Sequence, residues 1–364
     1  MGIKNLSQFL KKREIYELKT IDVLRYKKIA IDTPMFLYKF KSAFEPKSTE
    51  WLGCFLNLIV FLRKHDIHPI FVFEGKSPPE KAETQKIRRE QRDKIVDKTD
   101  TIETSLNCYE TTGTVNLALS EIQQFISKKS IKKTLLVREK SINVKEIRDE
   151  ITRRRRFEVS IKPEDILNLK ELLDITGVCH IQSMGEAETD CVSLFYSKIV
   201  DYVVSEDTDV FAYHGGDDER QITSIVNFNV SGDTPTFTQI SKQKILDTLK
   251  LSSESFRDFC IMCGTDYNKN IFKIGVEKSY VFLSNFKCIE NIPIDCETLK
   301  HTMVRELFRL RSIDNLPQQQ WWCRMPTTEF EYKLTIFMFN SSIKNVSFNN
   351  VYNALTNPNL AFDG

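Results

Sequence analysis

The chain has 364 residues, of which 41% are hydrophobic and 28% charged, with a formal net charge of +2. That length and apolar content supply a substantial core, in one large domain or two smaller ones, and exclude an acidic disordered chain. Nine scattered cysteines without a repeating framework exclude a disulfide scaffold and fit a reducing compartment.

No signal peptide opens the chain, and MGIKNLS has Leu6 where a myristoylation start needs Ser or Thr. KKIAID (27–32) reads as a strand from its β-branched and apolar residues. WLGCFLNLIVFLRKH (51–65) has helical spacing, and its apolar run CFLNLIVFL is too short to cross a bilayer. A soluble intracellular protein of nucleus or cytoplasm, neither secreted nor membrane-bound, is therefore expected. HPIFVFEG (68–75) is the second strand. An insertion over 76–157 follows, opening with KSPPEKAETQKIRREQR and passing through the Thr/Ser-rich DKTDTIETSLNCYETTGT. It closes with 127–156, where twelve Lys/Arg face four Asp/Glu and the last four residues are Arg153, Arg154, Arg155 and Arg156. Such runs are commonly solvated helix faces; two basic segments flanking one insertion point to a nucleic-acid contact.

Beyond the insertion, EDILNLKELLDITG (164–177) reads as a helix, and GVCHIQ (177–182) and DYVVSED (201–207) as strands. Strands alternating with helices predict an α/β fold with a mostly parallel central sheet flanked by helices. FRDFCIMCG (256–264) reads as a buried helix ending at Gly264, which makes Cys260 and Cys263 structural thiols rather than a zinc or redox pair. After about residue 291 come helical patches and an Asn/Ser-rich end without recognisable chemistry.

In an open parallel sheet, ligands bind beyond the carboxyl ends of the strands. Here those ends carry acids: Asp32, Glu74, then Glu186 and Glu188 in SMGEAETD, then Asp207 and Asp209 in SEDTD. Taken alone, SEDTD reads first as a solvated loop in which Asp207 caps the next helix. Crowded carboxylates repel unless a cation sits among them. In a helix over 186–199, at about 100° per residue, Glu188 falls on the apolar face formed by Ala187, Cys191, Val192, Leu194, Phe195 and Ile199. A carboxylate there needs a cation or a buried arginine. The set holds no His or Cys, so it suits Mg²⁺ or Mn²⁺. It is large enough for two such ions about 3.5–4 Å apart, an arrangement that hydrolyses phosphodiesters.

MGIKNLSQFL, IAIDTPMFLY, FVFEGKSPPEK, GEAETD, SEDTDVFAY and CGTDYNKNIFKIG, in this order and with the basic insertion between the second and third strands, resemble the flap endonuclease/XPG family of structure-specific 5′ nucleases over residues 1 to about 286. The resemblance implies a PIN-like 5′-nuclease fold with a helical arch insertion and a helix-turn-helix element that binds duplex. It implies a catalytic domain over 1–290, composed of an N-terminal part (1–100), the arch (76–157), an internal part (158–250) and the helix-turn-helix (251–290). A mostly helical extension would occupy 291–364. The implied metal ligands are Asp32, Glu74, Glu186, Glu188, Asp207, Asp209 and Asp266. Lys81 and Arg88, on the first arch helix and seven residues apart, match the basic pair that contacts the scissile phosphate. Tyr38 matches a stacking aromatic, with core filler as its alternative. Gly2 matches a residue close to the site after Met1 removal. Lys76, Ile274, Gly275 and Lys278 complete the implied DNA contacts, with a monovalent cation at the helix-turn-helix.

Three features depart from the family pattern. Glu74 stands where the family has Asp, and Lys273 replaces the first Gly of Gly-Ile-Gly, where positive φ costs a lysine more. No sliding-clamp peptide is visible in NNVYNALTNPNLAFDG. They mark a divergent member, of the kind a large DNA virus encodes. The expected activity is Mg²⁺-dependent cleavage of branched or flapped DNA by a monomer, near the junction of duplex and 5′ single strand. A catalytically impaired junction-binding protein and a 5′-exoribonuclease on a related fold are the alternatives.

Overall fold

A computed structural model describes residues 2–45, 47–130, 142–214, 220–230, 234–313 and 321–357. Met1, positions 131–141 of the basic run, and positions 358–364 of the segment searched for a clamp peptide lie outside them. The chain forms two compact units, one of Met1–Leu37, Thr49–Ala82 and Lys162–Gly364, the other of Tyr38–Ser48 and Glu83–Ile161.

Within the first unit, seven strands among the described residues form one sheet: β1 (Glu17–Thr20), β2 (Lys28–Asp32), β3 (His68–Phe73), β4 (Cys179–Gln182), β5 (Tyr202–Val204), β6 (Thr223–Asn229) and β7 (Thr236–Ser241). Their order is β1-β7-β6-β5-β2-β3-β4. The four strands expected from the sequence are the adjacent set β5-β2-β3-β4, and all pair in parallel. Parallel strands covered on both faces read as near-continuous apolar runs, and every residue of β3 is buried. Because β3 and β5 flank β2 on opposite sides, the order reverses beside Asp32, the last residue of β2. That places a crevice at the carboxyl edge of the sheet.

Helix Ala187–Tyr196 follows β4, and all its residues from Ala187 to Phe195 are buried, Glu188 and Asp190 included. It starts one residue later than the sequence pattern suggests, because Glu186 keeps extended backbone as its N-cap. Helix Ser253–Cys263 ends at Gly264 (φ 91°) as its composition predicts, and Cys260 and Cys263 are buried free thiols. Helix Phe348–Leu355 packs near helix Leu52–Lys64, where Lys64 Nζ donates to Asn350 Oδ1 at 3.1 Å.

The second unit is built from helices Ala82–Thr112, Leu117–Ser130 and Val144–Arg155. Its core includes Ile102, Leu106, Leu119, Ile122, Ile147 and Ile151. The Thr/Ser-rich stretch (97–114) lies inside the 31-residue helix Ala82–Thr112 except for its last two residues. Thr99, Thr101, Ser105 and Thr111 donate their hydroxyls to the carbonyls four residues back, which keeps polar side chains compatible with a helix.

The sequence placed Lys81 and Arg88 on one helix. Lys81 instead closes the 3₁₀ turn Pro79–Lys81, before the helix that carries Arg88. Two prolines explain the difference: Pro78 stays extended, and Pro79 opens a tight turn at its N1/N2 position.

Candidate metal centre

The carboxyl edge gathers the acids. Glu188, Asp207 and Asp209 each place one carboxylate oxygen within 4.8 Å of the other two. Asp207 caps the 3₁₀ turn Thr208–Phe211 by accepting from Asp209 N at 3.1 Å, so the capping reading of Asp207 holds alongside the site reading. Ser205 joins two acids: its hydroxyl donates to Asp32 Oδ2 at 3.1 Å and accepts from Asp207 N at 3.1 Å. Glu74 Oε2 accepts from Ala187 N at 3.0 Å, at the amino end of the helix that carries Glu188. Glu186 receives Tyr267 OH on one oxygen and Lys81 Nζ on the other. Lys81 also lies 3.6 Å from Asp266 Oδ2. Glu188 meets Tyr213 OH at 3.4 Å rather than the arginine its structural alternative required.

The electrostatics follow from this crowding. Burial pushes the Asp32 carboxyl up to about 7, and Asp207 and Glu74 add to the rise. Burial also holds Glu188 and Asp209 well above the ordinary carboxylate range, with Asp207 contributing to both. Asp207 and Glu74 are raised by burial too, against the Asp209 and Ala187 amides, which favour their charged forms. Burial alone would lower Lys81, but the carboxylates of Glu186 and Glu188 hold its ammonium above the ordinary lysine value.

Gly2 approaches this cluster closely. A Cβ built on it would stand 1.8 Å from Asp207 Oδ1 and 3.0 Å from Thr208 N, and its φ of +85° belongs to the region glycine tolerates best.

Whether these residues suit a divalent cation is tested by Asp209. Its Oδ1 is buried without a hydrogen-bond partner among the described residues. A buried acceptor left open is costly and is expected to have a ligand. The donor set is all oxygen, the chemistry that hard divalent cations select. The residues fit the group.

Other sequence-predicted residues are placed as follows. Lys76 is exposed just beyond β3. Ile274, Gly275 and Lys278 lie at the start of helix Val276–Phe286, which packs on helix Ser253–Cys263. Lys273 adopts φ +62°, so the turn keeps a left-handed residue despite losing a glycine there. The carbonyls of Ile271 and Ile274 both accept from Asn270 Nδ2. Tyr38, Arg88, Arg153, Arg154, Arg155 and Arg156 belong to the second unit. Within it the four consecutive arginines are not equivalent. Arg153 and Arg154 pair with Glu150, whereas Arg155 is held by Asp100, Glu103 and Glu158.

Sequence reasoning missed Ser205, Tyr213 and Tyr267. Each sits within four residues of a cluster acid in SEDTDVFAY or GTDY. That adjacency was the one available signal, and it does not reveal where a hydroxyl points.

A mostly parallel sheet with carboxylates gathered at its carboxyl edge suits metal-assisted hydrolysis of phosphodiesters, and the comparisons identify the class as a nuclease. The XPG N-terminal domain matches residues 1–95 and the XPG I-region residues 177–266. The chain belongs to the XPG family of nucleases. It is 50% identical to RAD2-like endonuclease 076L of Invertebrate iridescent virus 3, across 99% of both chains. Against RAD2-like endonuclease 369L of Invertebrate iridescent virus 6 the identity is 36%, over 94% of this chain and 89% of that one. Flap endonuclease 1 of Theileria annulata is 28% identical over 80% of this chain, which spans only 51% of that protein. In fold, the chain resembles the flap endonuclease-1 structure from Methanococcus jannaschii, with a TM-score of 0.60, 19% identity, and coverage of 94% and 96%. Human GEN1 in complex with Holliday junction DNA gives 0.60 and 17%, with coverage of 97% and 76%. Among the described residues, no helix is long and apolar enough to cross a membrane.

Proposed function

We propose that this nuclease is a divalent-metal-dependent, structure-specific 5′ nuclease that cuts branched DNA, 5′ flaps in particular, near the junction of single strand and duplex. The observation that carries the metal dependence is the open, buried Asp209 Oδ1 beside Glu188 and Asp207. Glu188, Asp207 and Asp209 would hold the cation, with Asp32, Glu74, Glu186 and Asp266 completing an acidic wall able to hold a second. Bound Mg²⁺, or Mn²⁺ in its place, supplies Lewis acidity toward the phosphate and lowers the pKa of attacking water.

The chain's own residues do the rest. Ser205 keeps Asp32 and Asp207 in fixed register. Gly2 brings the backbone against Asp207 where a Cβ would not fit. Lys81, an ammonium held among the acids, offsets part of their charge and is the donor nearest to hand for a phosphate oxygen. Arg88 and Tyr38 are its proposed companions, for the phosphate and for the base beside the cut. Lys76, Ile274, Gly275 and Lys278 are proposed to meet the duplex backbone, with a monovalent cation at that turn. Such contacts select shape rather than sequence. The flap preference is supported by the flap endonuclease relatives, and a role in replication, repair or recombination follows from that substrate.

The test incubates purified protein and Mg²⁺ with end-labelled 5′-flap DNA, plain duplex and a flap of RNA. One dominant product cut at the flap junction supports the reading. Preference for the RNA flap would replace it with the exoribonuclease alternative, and single-nucleotide ladders on every substrate would replace it with a 5′ exonuclease indifferent to structure.

A further inference from the structure

The hydroxyls that hold Glu186 and Glu188 lead to a part of the chain beyond the XPG I-region match, which ends at residue 266. Phe308 follows helix His301–Leu307 and is fully buried. Its ring meets Tyr213 edge-on, with centroids 5.4 Å apart at 90°. It meets Tyr267 as well, at 5.5 Å and 72°. Tyr213 OH lies 2.7 Å from Thr189 Oγ1 and 3.4 Å from Glu188 Oε1, and Tyr267 OH donates to Glu186 Oε2.

The backbone reinforces the arrangement. His214 N donates to Phe308 O at 2.9 Å and Leu310 N donates to His214 O at 3.1 Å, so the residue after Tyr213 is bonded on both sides of Arg309. The Arg311 guanidinium lies over Gly185, where a Cβ would stand 2.0 Å from its Nη1. Positions 308–311 thus brace the site at Tyr213, at Tyr267 and at the residue before Glu186.

A phenol oxygen lies on its ring's own axis, so its position is set by where the ring sits. A ring's position is set by what packs against its edges and faces. We propose that Phe308 is a positioning residue of the metal centre: it clamps Tyr213 and Tyr267 so that their hydroxyls fix the carboxylate of Glu188, which shares the cluster with Asp207 and Asp209, and that of Glu186, whose other oxygen holds Lys81 beside it. Partners of ligating carboxylates commonly tune metal affinity by about 10–100-fold. The inference rests on the metal-dependent reading above.

The test measures Mn²⁺ binding to DNA-free protein by the loss of the free-ion EPR signal, alongside melting in EDTA. Wild type, Asp209→Asn, Phe308→Leu, Tyr267→Phe and the double variant of the last two are compared. Phe308→Leu and Tyr267→Phe should each weaken Mn²⁺ binding by about tenfold. The double variant should be no weaker than the worse single, because the two act in series. Tyr267→Phe deletes one hydrogen bond to a buried carboxylate and should melt in EDTA only a few degrees below wild type. If Phe308→Leu lowers the melting temperature but leaves Mn²⁺ affinity unchanged, Phe308 is a core residue and the proposal is overturned. If Phe308→Leu does not fold, Tyr267→Phe decides, and unchanged affinity there overturns the clamp. A wild type that binds no Mn²⁺, or an Asp209→Asn variant that binds it normally, would instead overturn the metal centre itself. Normal wild-type binding, lost in Asp209→Asn and kept in Phe308→Leu, would remove the clamp alone.

Discussion

Replacing Asp32 with asparagine in metal-free protein should stabilise it, and by an amount that depends on pH. Asp32 is buried, and its carboxyl is raised from an ordinary 3.8 to about 7. A carboxyl raised on folding leaves stability intact below its unfolded value and erodes it as pH rises through the folded value. At about 1.36 kcal/mol per pH unit, burying Asp32 costs about 4 kcal/mol at pH 8, where it is ionised, and about 2 kcal/mol at pH 5.5, where folding must protonate it. Asn can still accept from Ser205 and can donate toward its acidic neighbours, so deletion of the charge is the dominant change. With an unfolding entropy of about 2.1 cal/mol/K per residue over 364 residues, 4 kcal/mol shifts melting by about 5 °C. Calorimetry in EDTA should therefore show Asp32→Asn melting about 5 °C above wild type at pH 8 and about half as far above it at pH 5.5. Saturating Mg²⁺ should abolish or reverse the gain, since the cation then compensates the charge. A gain equal at both pH values, or a loss at pH 8 in EDTA, would refute the reasoning.

Gly2→Ala must move either the amino terminus or Asp207, given the 1.8 Å approach. Single-turnover cleavage should slow by about 10²-fold, with flap binding unchanged. Glu74→Gln keeps an acceptor for the Ala187 amide and should melt no lower than wild type while losing most cleavage; Glu74→Ala should give up about 1 kcal/mol relative to Glu74→Gln through the uncapped helix. An active Glu74→Gln would confine this residue to capping. Arg155→Ala should destabilise the helical unit by about 1–2 kcal/mol because three carboxylates lose their partner. Arg156→Ala should leave melting unchanged and lower the salt slope of DNA binding by about one. Equal effects from the two substitutions would make the four arginines interchangeable after all.

The central strands were legible because β2, β3 and β5 are buried almost throughout and carry near-continuous apolar runs, while β4 buries Cys179 and Ile181 in the alternation of a strand with one open face. β1, β6 and β7 were not. ELKT alternates half-buried with exposed residues, and TFTQIS buries only Phe237 and Ile240 deeply. Such sequences become strands through distant partners: β1 pairs with β7, Glu17 opposite Gln239. Asp32, Glu74, Glu186, Glu188, Asp207 and Asp209 were readable because each lies at or shortly after the carboxyl end of a strand, so topology carries them to one edge; Asp266 follows helix Ser253–Cys263 and came only from the family resemblance. The hydroxyls were not, because Tyr267 reaches Glu186 across 81 residues and Ser205 reaches Asp32 across 173. Lys81 was misplaced for a local reason, since a seven-residue spacing implies one helix face only if the helix has already begun. Lys273 shows the converse: the sequence marked a costly substitution, and the backbone kept its left-handed turn there.

Cleavage of a labelled 5′-flap DNA by wild type and Asp209→Asn, titrated with Mg²⁺ from EDTA to saturation, tests the central claim most directly. The open Asp209 oxygen predicts metal-dependent cutting at the flap junction by wild type. It also predicts no detectable product from Asp209→Asn at any Mg²⁺ concentration, although that variant should bind the flap at least as tightly. Cutting by wild type in EDTA, or at the wild-type rate by Asp209→Asn in saturating Mg²⁺, would contradict it.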